Sequence, residues 1–342
     1  MRGDRVRFSS TVVRADEPRA PHSPTAKVTA TMRFGQLFYG IATFVPGVTK
    51  LAGRGAGSTA LARYCYSVWL RHLVIAAHNG YSTSPGTVAE LGPGSSLGIG
   101  LAALLSGANR YLAFDVVAHA KTEQNLAVFE ELVDLFVRRA PIPDAQELPE
   151  ILPRLDDYAF PHSILPDARL VVALAPERIE HIRASLRDPS AADSMVQYRA
   201  PWSSATVLER ESVDLILSQA VLEHIDDLPD AYRTMHAWLR PGGYISHQVD
   251  FRCHNTARTW NGHLAYGDLV WKLMRGKRPY LINRHPFSEH LQFMAQVGFV
   301  SPQTRKFEMP SEVRRDQLAR RFRGLPDSDL VTGCALIQAQ RM

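Results

Sequence analysis

The sequence has few cysteines, with only Cys65, Cys253 and Cys334 among 342 residues. Their number is odd, they are far apart, and no two form the C-x-x-C pair of many zinc and redox sites. These facts argue against a disulfide framework and against a cysteine-based zinc site. Few cysteines also suit a reducing compartment. We expect a cytoplasmic protein with three buried or half-buried thiols.

Long apolar runs are missing as well. No stretch approaches the roughly 18 consecutive apolar residues that a membrane-spanning helix needs. Internal repeats and low-complexity tracts are also absent from the sequence. The 45% hydrophobic content is enough for a full core, and the length of 342 residues allows one large domain or two modest ones.

Acidic residues are scarce at the N-terminal end. Residues 1–76 hold eleven Lys and Arg against three acids, a net charge of +8, whereas the rest of the chain holds 28 basic and 31 acidic residues. The positive charge therefore lies outside the main body of the protein. This distribution argues against a broad nucleic-acid-binding surface there, and we expect no nucleic-acid partner.

The N-terminal part divides into two segments. The first contains Pro18, Pro21 and Pro24 among scattered Arg and Ser and lacks an apolar period, which is typical of disorder. The second is apolar and aromatic over 34–48, so it could pack on its own domain, on a membrane surface or on a second copy of the chain; we favour its own domain. The predicted divisions are a disordered leader over 1–28, an N-terminal helical cap over 29–80, and a main domain over 81–342 with an insertion at about 141–192.

The best-defined pattern in the chain is a strand followed by a glycine turn and a helix. An apolar run over 88–91 predicts a buried strand, and apolar residues at helical spacing predict a helix over 97–106. Between them lie Gly92 and Gly94. Glycines at such a turn allow backbone N–H groups to approach a ligand closely.

A second predicted strand ends in Asp115, 21 residues after Gly94. The order of strand, glycine turn, helix, strand and acid is that of a nucleotide-binding unit, in which the acid accepts hydrogen bonds from ribose hydroxyls. Glu90 precedes the turn, and its charge would repel a pyrophosphate but would suit a ligand with an amino group. This combination points to S-adenosyl-L-methionine (SAM), a sulfonium with an α-amino group and no phosphate.

Further strands are predicted after this unit. A third strand covers 195–198, and a fourth over 211–218 leads into the polar pair Ser218 and Gln219. A helix over 230–239 is then expected to end through glycine capping at Arg240-Pro-Gly-Gly243 and to lead into a fifth strand over 244–249. The sixth and seventh strands are predicted over 299–307 and 329–338.

In the stretch Glu90-Leu-Gly-Pro-Gly94 and in the series from Val213 through Leu-Arg-Pro-Gly-Gly to the fifth strand, the sequence resembles the class I SAM-dependent methyltransferases. The resemblance extends from about Arg63 to the C-terminus. It implies an α/β, Rossmann-like, seven-stranded and mostly parallel sheet with an antiparallel edge hairpin, an N-terminal helical extension and an inserted helical lid. It also implies SAM as the cofactor. The residues expected to contact SAM are Glu90, Gly92, Gly94, Asp115, Ser218 and Gln219.

Some positions leave alternatives open. In the resembling enzymes a helix ahead of the first strand often covers the cofactor, so Arg71 or His72 could contact the SAM carboxylate. Equally, Arg71 could be a surface arginine, and His72 could be a half-buried histidine with hydrogen-bond partners inside the protein. The acid that often follows the third strand is replaced here by Arg199-Ala-Pro-Trp-Ser. Trp202 could stack on adenine or belong to the core.

Catalytic candidates lie after the fourth and fifth strands, because ligands of open α/β sheets bind beyond the carboxyl ends of the strands. A hydroxyl acceptor must lose its proton, and histidine is the usual base. We predict His263 as that base, with Asp250 either orienting a histidine or capping a helix. His247 and His224 are further candidates, although His247 could be a core histidine. A histidine and carboxylate cluster also permits a metal, but spacing alone does not show convergent ligands, and no metal is predicted.

The sequence therefore predicts a SAM-dependent methyltransferase, an O-methyltransferase for a small polar acceptor such as a sugar or a secondary metabolite. The stretches Trp69-Leu-Arg-His-Leu73, Glu90–Gly94 and Ser246–Asp250 further resemble bacterial methyltransferases of surface-sugar or secondary-metabolite pathways. One alternative is N-methylation. The other is a SAM-binding protein without catalysis that serves as a structural partner.

Overall fold

The computed structural model describes residues 32–45, 58–202, 205–278 and 280–342. The predicted leader over 1–28 lies outside these residues. The helices are α1 (Phe34–Ala42), α2 (Ala62–His78), α3 (Gly98–Leu105), α4 (Thr122–Val137), α5 (Asp167–Ala173), α6 (Pro176–Arg187), α7 (Leu228–Trp238), α8 (Asp268–Arg275), α9 (Phe287–Val297) and α10 (Asp327–Val331). The strands are β1 (Thr87–Leu91), β2 (Arg110–Phe114), β3 (Val196–Arg199), β4 (Val213–Gln219), β5 (Leu239–Asp250), β6 (Phe299–Glu308) and β7 (Thr332–Arg341).

The strands form one seven-stranded sheet in the order β3-β2-β1-β4-β5-β7-β6. The first five strands are parallel to their neighbours, whereas β7 runs antiparallel to both β5 and β6. The predicted fold class is therefore confirmed, including the antiparallel pair at one edge. Because the strand order reverses between β1 and β4, the sheet has its topological switch point there, where open α/β sheets bind ligands.

Both faces of the sheet are covered, which explains why β1 is buried throughout. Val88 points into a core shared with α2, α3 and α4, while Ala89 and Leu91 point into a second core shared with α7 and α9. Alternate side chains of β1 therefore pack against the helices on opposite faces of the sheet. The inserted helices α5 and α6 add Leu170 and Ile182 to the first core. Their predicted role as a lid stays a prediction.

The prediction of a glycine cap at the end of α7 is wrong. The helix ends at Trp238, and the next residue, Leu239, has an extended backbone and begins β5 without a left-handed cap. Leu239 pairs with Val213, and the register shifts before Tyr244 pairs with Leu215. Pairing with β4 begins before the two glycines are reached, so they lie within the irregular start of the strand.

The apolar segment 34–48 packs on its own domain over its described residues. Gly40 lies so close to α8 that a Cβ there would fall 2.1 Å from the Met274 carbonyl oxygen. Thr43 Oγ1 accepts a 2.7 Å hydrogen bond from the Lys277 N–H. Phe38 nevertheless remains 67% exposed. Peripheral membrane association or self-association through 34–48 stays a prediction.

The three cysteines are buried free thiols, as expected. Within the described ranges, no helix is both long enough and apolar enough to cross a membrane. The cytoplasmic location stays a prediction.

Candidate functional site

An open cleft of about 370 Å³ lies at the carboxyl ends of β1, β2 and β4. Gly92 and Asp115 line one side of it, and Val221 and His224 line the other. Phe114, Trp202, Ile225 and Ala231 give the cleft a largely apolar wall. The sheet therefore places a concave, partly apolar site at its switch point.

The turn after β1 depends on its glycines. Gly92 and Gly94 both have positive φ, at 67° and 75°, which side chains with a Cβ rarely adopt. The Gly92 N–H donates to the Phe114 carbonyl at 2.8 Å, so the turn is held against the end of β2. A Cβ on Gly92 would fall 2.6 Å from Val221 Cγ2. The turn thus needs glycine for both conformation and space.

Asp115 is fixed by backbone donors on one side and reaches the cleft on the other. Its Oδ1 accepts from the Val116 N–H at 2.7 Å, whereas its Oδ2 accepts, among the described residues, only a longer 3.3 Å bond from Gly94. A carboxylate oxygen can accept more than one hydrogen bond. Asp115 therefore keeps acceptor capacity in the cleft, and the structure brings it together with Gly92 and Gly94 as predicted.

Glu90 does not line the cleft. It is buried beneath α3, where the Tyr111 hydroxyl donates to Oε2 at 2.5 Å. Burial raises the pKa of Glu90 to about 8, although the hydrogen bonds from Tyr111 and the Gly100 backbone oppose this. The prediction that Glu90 contacts SAM is not supported by this position, because its carboxyl group is engaged within the protein.

Ser218, Gln219 and His72, which lies on α2 ahead of β1, form a row of polar side chains linked by hydrogen bonds. Ser218 Oγ lies 2.8 Å from His247 Nδ1. His72 bridges Ser246 Oγ at 2.6 Å and Gln219 Oε1 at 3.2 Å through its two ring nitrogens. Both histidines are therefore partnered inside the protein. Burial lowers the pKa of each, to about 4 for His72 and about 3 for His247.

Arg71 is directed away from the cleft. Its guanidinium donates to the carbonyl oxygens of Pro153 at 2.5 Å and Pro143 at 2.8 Å, both in the insertion. These bonds tie α2 to the segment before α5. Arg71 is accordingly buried, so the alternative that it is a surface arginine is wrong.

Trp202 combines the two positions considered for it, beside the cofactor cleft and in the core. Its ring lines the cleft and also packs on Phe114 and Trp238, with ring centroids 5.7 and 5.3 Å apart. Its backbone N–H donates to the Asp115 carbonyl at 2.8 Å. This hydrogen bond holds Trp202 beside Asp115, the predicted ribose-binding acid.

A polar cluster lies beyond the ends of β4 and β5. Glu223 and His224 lie on a one-turn helix after β4, while Asp250 ends β5 and His254 follows it. Asn283 holds the turn after β4, since its side-chain amide donates to the carbonyl oxygens of residues 222 and 225 at 2.8 Å. The cluster is therefore built from two strand ends and one clamping loop.

Asp250 lies beside His254 and Arg252 and not beside His263. It accepts from the guanidinium of Arg252 through Nε at 2.9 Å and Nη2 at 2.6 Å, and its Oδ2 lies 3.3 Å from His254 Nε2. Burial alone would raise the pKa of Asp250, but His254 and Arg252 together hold it below its usual range. Asp250 is thus an ionised partner of these two residues.

His263, the predicted base, is buried next to this cluster. With Glu223 and Asp250 it lines a chamber of about 20 Å³, which is the size of a single water. Its Nδ1 has no hydrogen-bond partner among the described residues. Burial lowers the pKa of His263 to about 3, and the positive charge of Arg284 adds to the effect.

The sequence reasoning missed Glu223. The residue is 3% exposed, and both of its carboxylate oxygens lack a hydrogen-bond partner in the described part of the chain. The signal was present, because Leu-Glu-His-Ile places an acid beside a histidine between two apolar residues just after a central strand. Acids in such surroundings are rarely buried without a reason.

Residues 169–246, from α5 into β5, match the family model of a methyltransferase domain. A search of curated protein sequences finds no match.

Solved structures with a similar fold include a SAM-dependent methyltransferase from Mesorhizobium loti, at 16% identity, 79% coverage of this chain, 98% coverage of that chain and a TM-score of 0.39. Another is a phosphoethanolamine N-methyltransferase from Haemonchus contortus bound to S-adenosylhomocysteine, at 12% identity and a TM-score of 0.40. That alignment covers 89% of this chain and 57% of the other. Likeness at this level carries no information about the acceptor.

The methyltransferase-domain match, together with the strand order and the glycine turn, supports a SAM-dependent methyltransferase with S-adenosyl-L-methionine as its cofactor. The matched segment contains β4 and the first part of β5, whereas the glycine turn and Asp115 precede it. Glu223 and His224 are in that segment too, whereas Asp250, His254 and His263 follow it.

The raised pKa of Glu90 predicts a pH-dependent stability. Between about pH 4.5 and 8 the folded protein holds a proton on Glu90 that the unfolded chain has lost, so the free energy of unfolding should fall as pH rises through this window. Glu90→Gln removes the ionisation. Relative to wild type, this variant should gain about 1.4 kcal/mol per pH unit across the window.

Urea denaturation at pH 5, 7 and 9 measures the effect, with Glu131→Gln on the exposed face of α4 as the matched control. A constant difference between Glu90→Gln and wild type at all three pH values would show that Glu90 titrates normally.

Proposed function

We propose that the protein transfers the methyl group of SAM to a hydroxyl group of a small polar acceptor, such as a sugar or a secondary metabolite. The observation that carries this proposal is the adjacency of two sites at one edge of the sheet. The cleft with the glycine turn and Asp115 suits an adenosine, and His224 connects that cleft to the polar cluster.

The cofactor half of the site has the chemistry of adenosine recognition. The ribose hydroxyls donate to Asp115 Oδ2, whose only described protein donor is the Gly94 N–H at 3.3 Å. The adenine lies along the apolar wall that contains Phe114 and Trp202. No acid follows β3, so base recognition depends on this wall and on backbone groups. Ser218 and Gln219, which were predicted to contact SAM, end β4 and do not line the cleft.

The acceptor half has the chemistry of hydroxyl activation. In the transfer step the acceptor oxygen forms a bond to the methyl carbon, the carbon–sulfur bond breaks, and S-adenosylhomocysteine leaves with the electron pair. His263 receives the acceptor proton, because its Nδ1 is unpartnered among the described residues and is free to accept it. Alignment of donor and acceptor supplies a further part of the rate enhancement.

The histidines also favour oxygen over nitrogen as the acceptor atom. An amine acceptor that arrives unprotonated needs no base, whereas a hydroxyl does. Three histidines and two acids lie beyond the ends of β4 and β5, at positions 223, 224, 250, 254 and 263. A non-catalytic SAM-binding protein would have no use for such a set, so the structural-partner alternative is disfavoured.

Cofactor binding is the first test of the proposal. Wild-type protein should bind S-adenosylhomocysteine in the micromolar range by calorimetry. Asp115→Ala should weaken binding by about tenfold or more, because a charge-assisted hydrogen bond is lost. Gly94→Val should abolish it, since valine does not adopt a φ of +75°.

Asp156→Ala is the matched control, because Asp156 pairs with Arg305 on the surface. Folded wild-type protein that fails to bind either SAM or S-adenosylhomocysteine would end the methyltransferase proposal.

The base is tested by turnover. His263→Ala should lower kcat by roughly 10²–10⁴-fold, the usual contribution of a general base, while cofactor affinity changes little. His247→Ala is the control, since His247 is paired with Ser218 inside the sheet and its loss should lower stability more than turnover. Turnover of His263→Ala close to that of wild type would exclude His263 and leave His224 as the next candidate.

A further inference from the structure

Three side chains of the polar cluster converge on one point. Glu223, His224 and His254 each offer one ligand atom, and these atoms lie within 4.8 Å of one another. The two imidazole rings are 5.1 Å apart and inclined at 61°. Glu223 and His224 come from the turn after β4 and His254 from the loop after β5, so the fold brings them together from separate parts of the chain.

Several polar atoms at this point lack a partner among the described residues. Both carboxylate oxygens of Glu223 and Nδ1 of His224 are buried without a hydrogen bond of normal geometry there, whereas Nε2 of His254 faces Asp250 Oδ2 at 3.3 Å. The backbone N–H groups of Glu223 and Asp250 give Glu223 weak support. Burying a carboxylate without a partner is unfavourable, so this group calls for a cation.

No side-chain cation of the described chain forms an ion pair with Glu223. Arg252 lies near enough to influence it, but the guanidinium of Arg252 forms its two-pronged contact with Asp250. Arg284 points to the Tyr266 carbonyl at 2.7 Å and to Asp268 at 3.3 Å. The positive charge that would balance Glu223 must therefore come from a bound species or from a proton.

The loop that presents His254 is held in an unfavourable backbone conformation. His254 and Asn255 have φ of 44° and 63°, in the left-handed region. Hydrogen bonds from the Cys253 N–H to the Trp260 carbonyl at 2.7 Å and from the Thr256 N–H to the Cys253 carbonyl at 2.8 Å close the loop. The fold thus maintains strain at the residue that reaches toward Glu223.

We propose that Glu223, His224 and His254 bind one divalent transition-metal ion, of the zinc or manganese type, at the acceptor end of the cleft. One carboxylate and two imidazoles form a three-ligand set, and such sets leave coordination positions open for substrate. Asp250 beside His254 fits the common arrangement in which a carboxylate orients a ligating imidazole.

This inference rests on the proposed function and specifies how the acceptor is activated. An acceptor hydroxyl bound to the ion becomes more acidic, as metal-bound water does. The hydroxyl proton passes to a neighbouring base, and the resulting oxygen attacks the methyl carbon while the carbon–sulfur bond breaks. The products are the methyl ether, S-adenosylhomocysteine and one proton. The metal takes no part in electron transfer.

Metal binding is measured directly on the full chain, without SAM. Protein stripped with a chelator is dialysed against zinc, manganese or cobalt chloride, and bound metal is counted by mass spectrometry. Wild type should bind one equivalent, and the cobalt form should show visible ligand-field absorption. Glu223→Gln and His254→Asn should each weaken binding by tenfold or more.

His181→Asn is the matched control, because His181 also lies beside a carboxylate, 3.3 Å from Asp193, but on the surface and outside the three-ligand set. If Glu223→Gln fails to fold, Glu223→Asp keeps the charge but withdraws the carboxylate, and it should fold and bind more weakly. Wild type that binds no metal, or Glu223 and His254 variants that bind as tightly as wild type, would overturn the metal site.

Activity separates this inference from the proposed function. Loss of methyl transfer on chelation and recovery with added metal support both. Methyl transfer at the wild-type rate by metal-free protein would overturn the metal's role and leave the methyltransferase intact. One equivalent of bound metal without any binding of SAM would retain the site and overturn the function.

Discussion

The structure depends on the alignment of parallel strand ends along one edge of the sheet. The Gly92 N–H donates to the Phe114 carbonyl, so the turn after β1 and the end of β2 form a single rigid unit. Parallel pairing of β4 with β1 and of β5 with β4 then brings their carboxyl ends to the same edge. The cleft and the polar cluster are both consequences of this register. Neither could form if one strand were reversed.

Two buried glutamates show how surroundings decide the role of an identical side chain. Glu90 is buried under α3 but has the Tyr111 hydroxyl as a donor, so it can rest there as a mostly neutral group. Glu223 is equally buried, lies near Asp250 and has no such donor among the described residues. The first is explained by the fold alone. The second has no partner among the described residues, which is why the metal site is proposed there.

The sheet and half of the cofactor site could be predicted because their signals are local. The strand, glycine turn and second strand ending in Asp115 lie within 30 residues, and the structure unites Gly92, Gly94 and Asp115 as expected. Glu90 belongs to the same stretch, yet its direction depends on Tyr111, which the strand pattern does not reveal. A strand residue points to one face or the other, and the packing of α3 decides what it meets there.

The catalytic cluster was harder to predict because its contacts join distant parts of the chain. The concentration of histidines after the fifth strand was visible in the sequence, but the pairing of Asp250 with Arg252 and His254 was not. Asn283, far along the chain, fixes the turn that carries Glu223 and His224. Arg71 likewise holds the insertion through hydrogen bonds to backbone carbonyl oxygens, which no sequence motif reveals. Long-range partners of this kind set the chemistry of the site.

The central claim is that the cleft beside the glycine turn holds the adenosine of SAM. A crystal structure of the protein with S-adenosylhomocysteine tests it most directly. The account predicts that the ribose hydroxyls lie within hydrogen-bond distance of the Asp115 carboxylate, that the adenine contacts Trp202 or Phe114, and that the sulfur faces His224. Ligand bound elsewhere, with Asp115 making only its bonds to the backbone N–H groups of Gly94, Val116 and Val117, would contradict it.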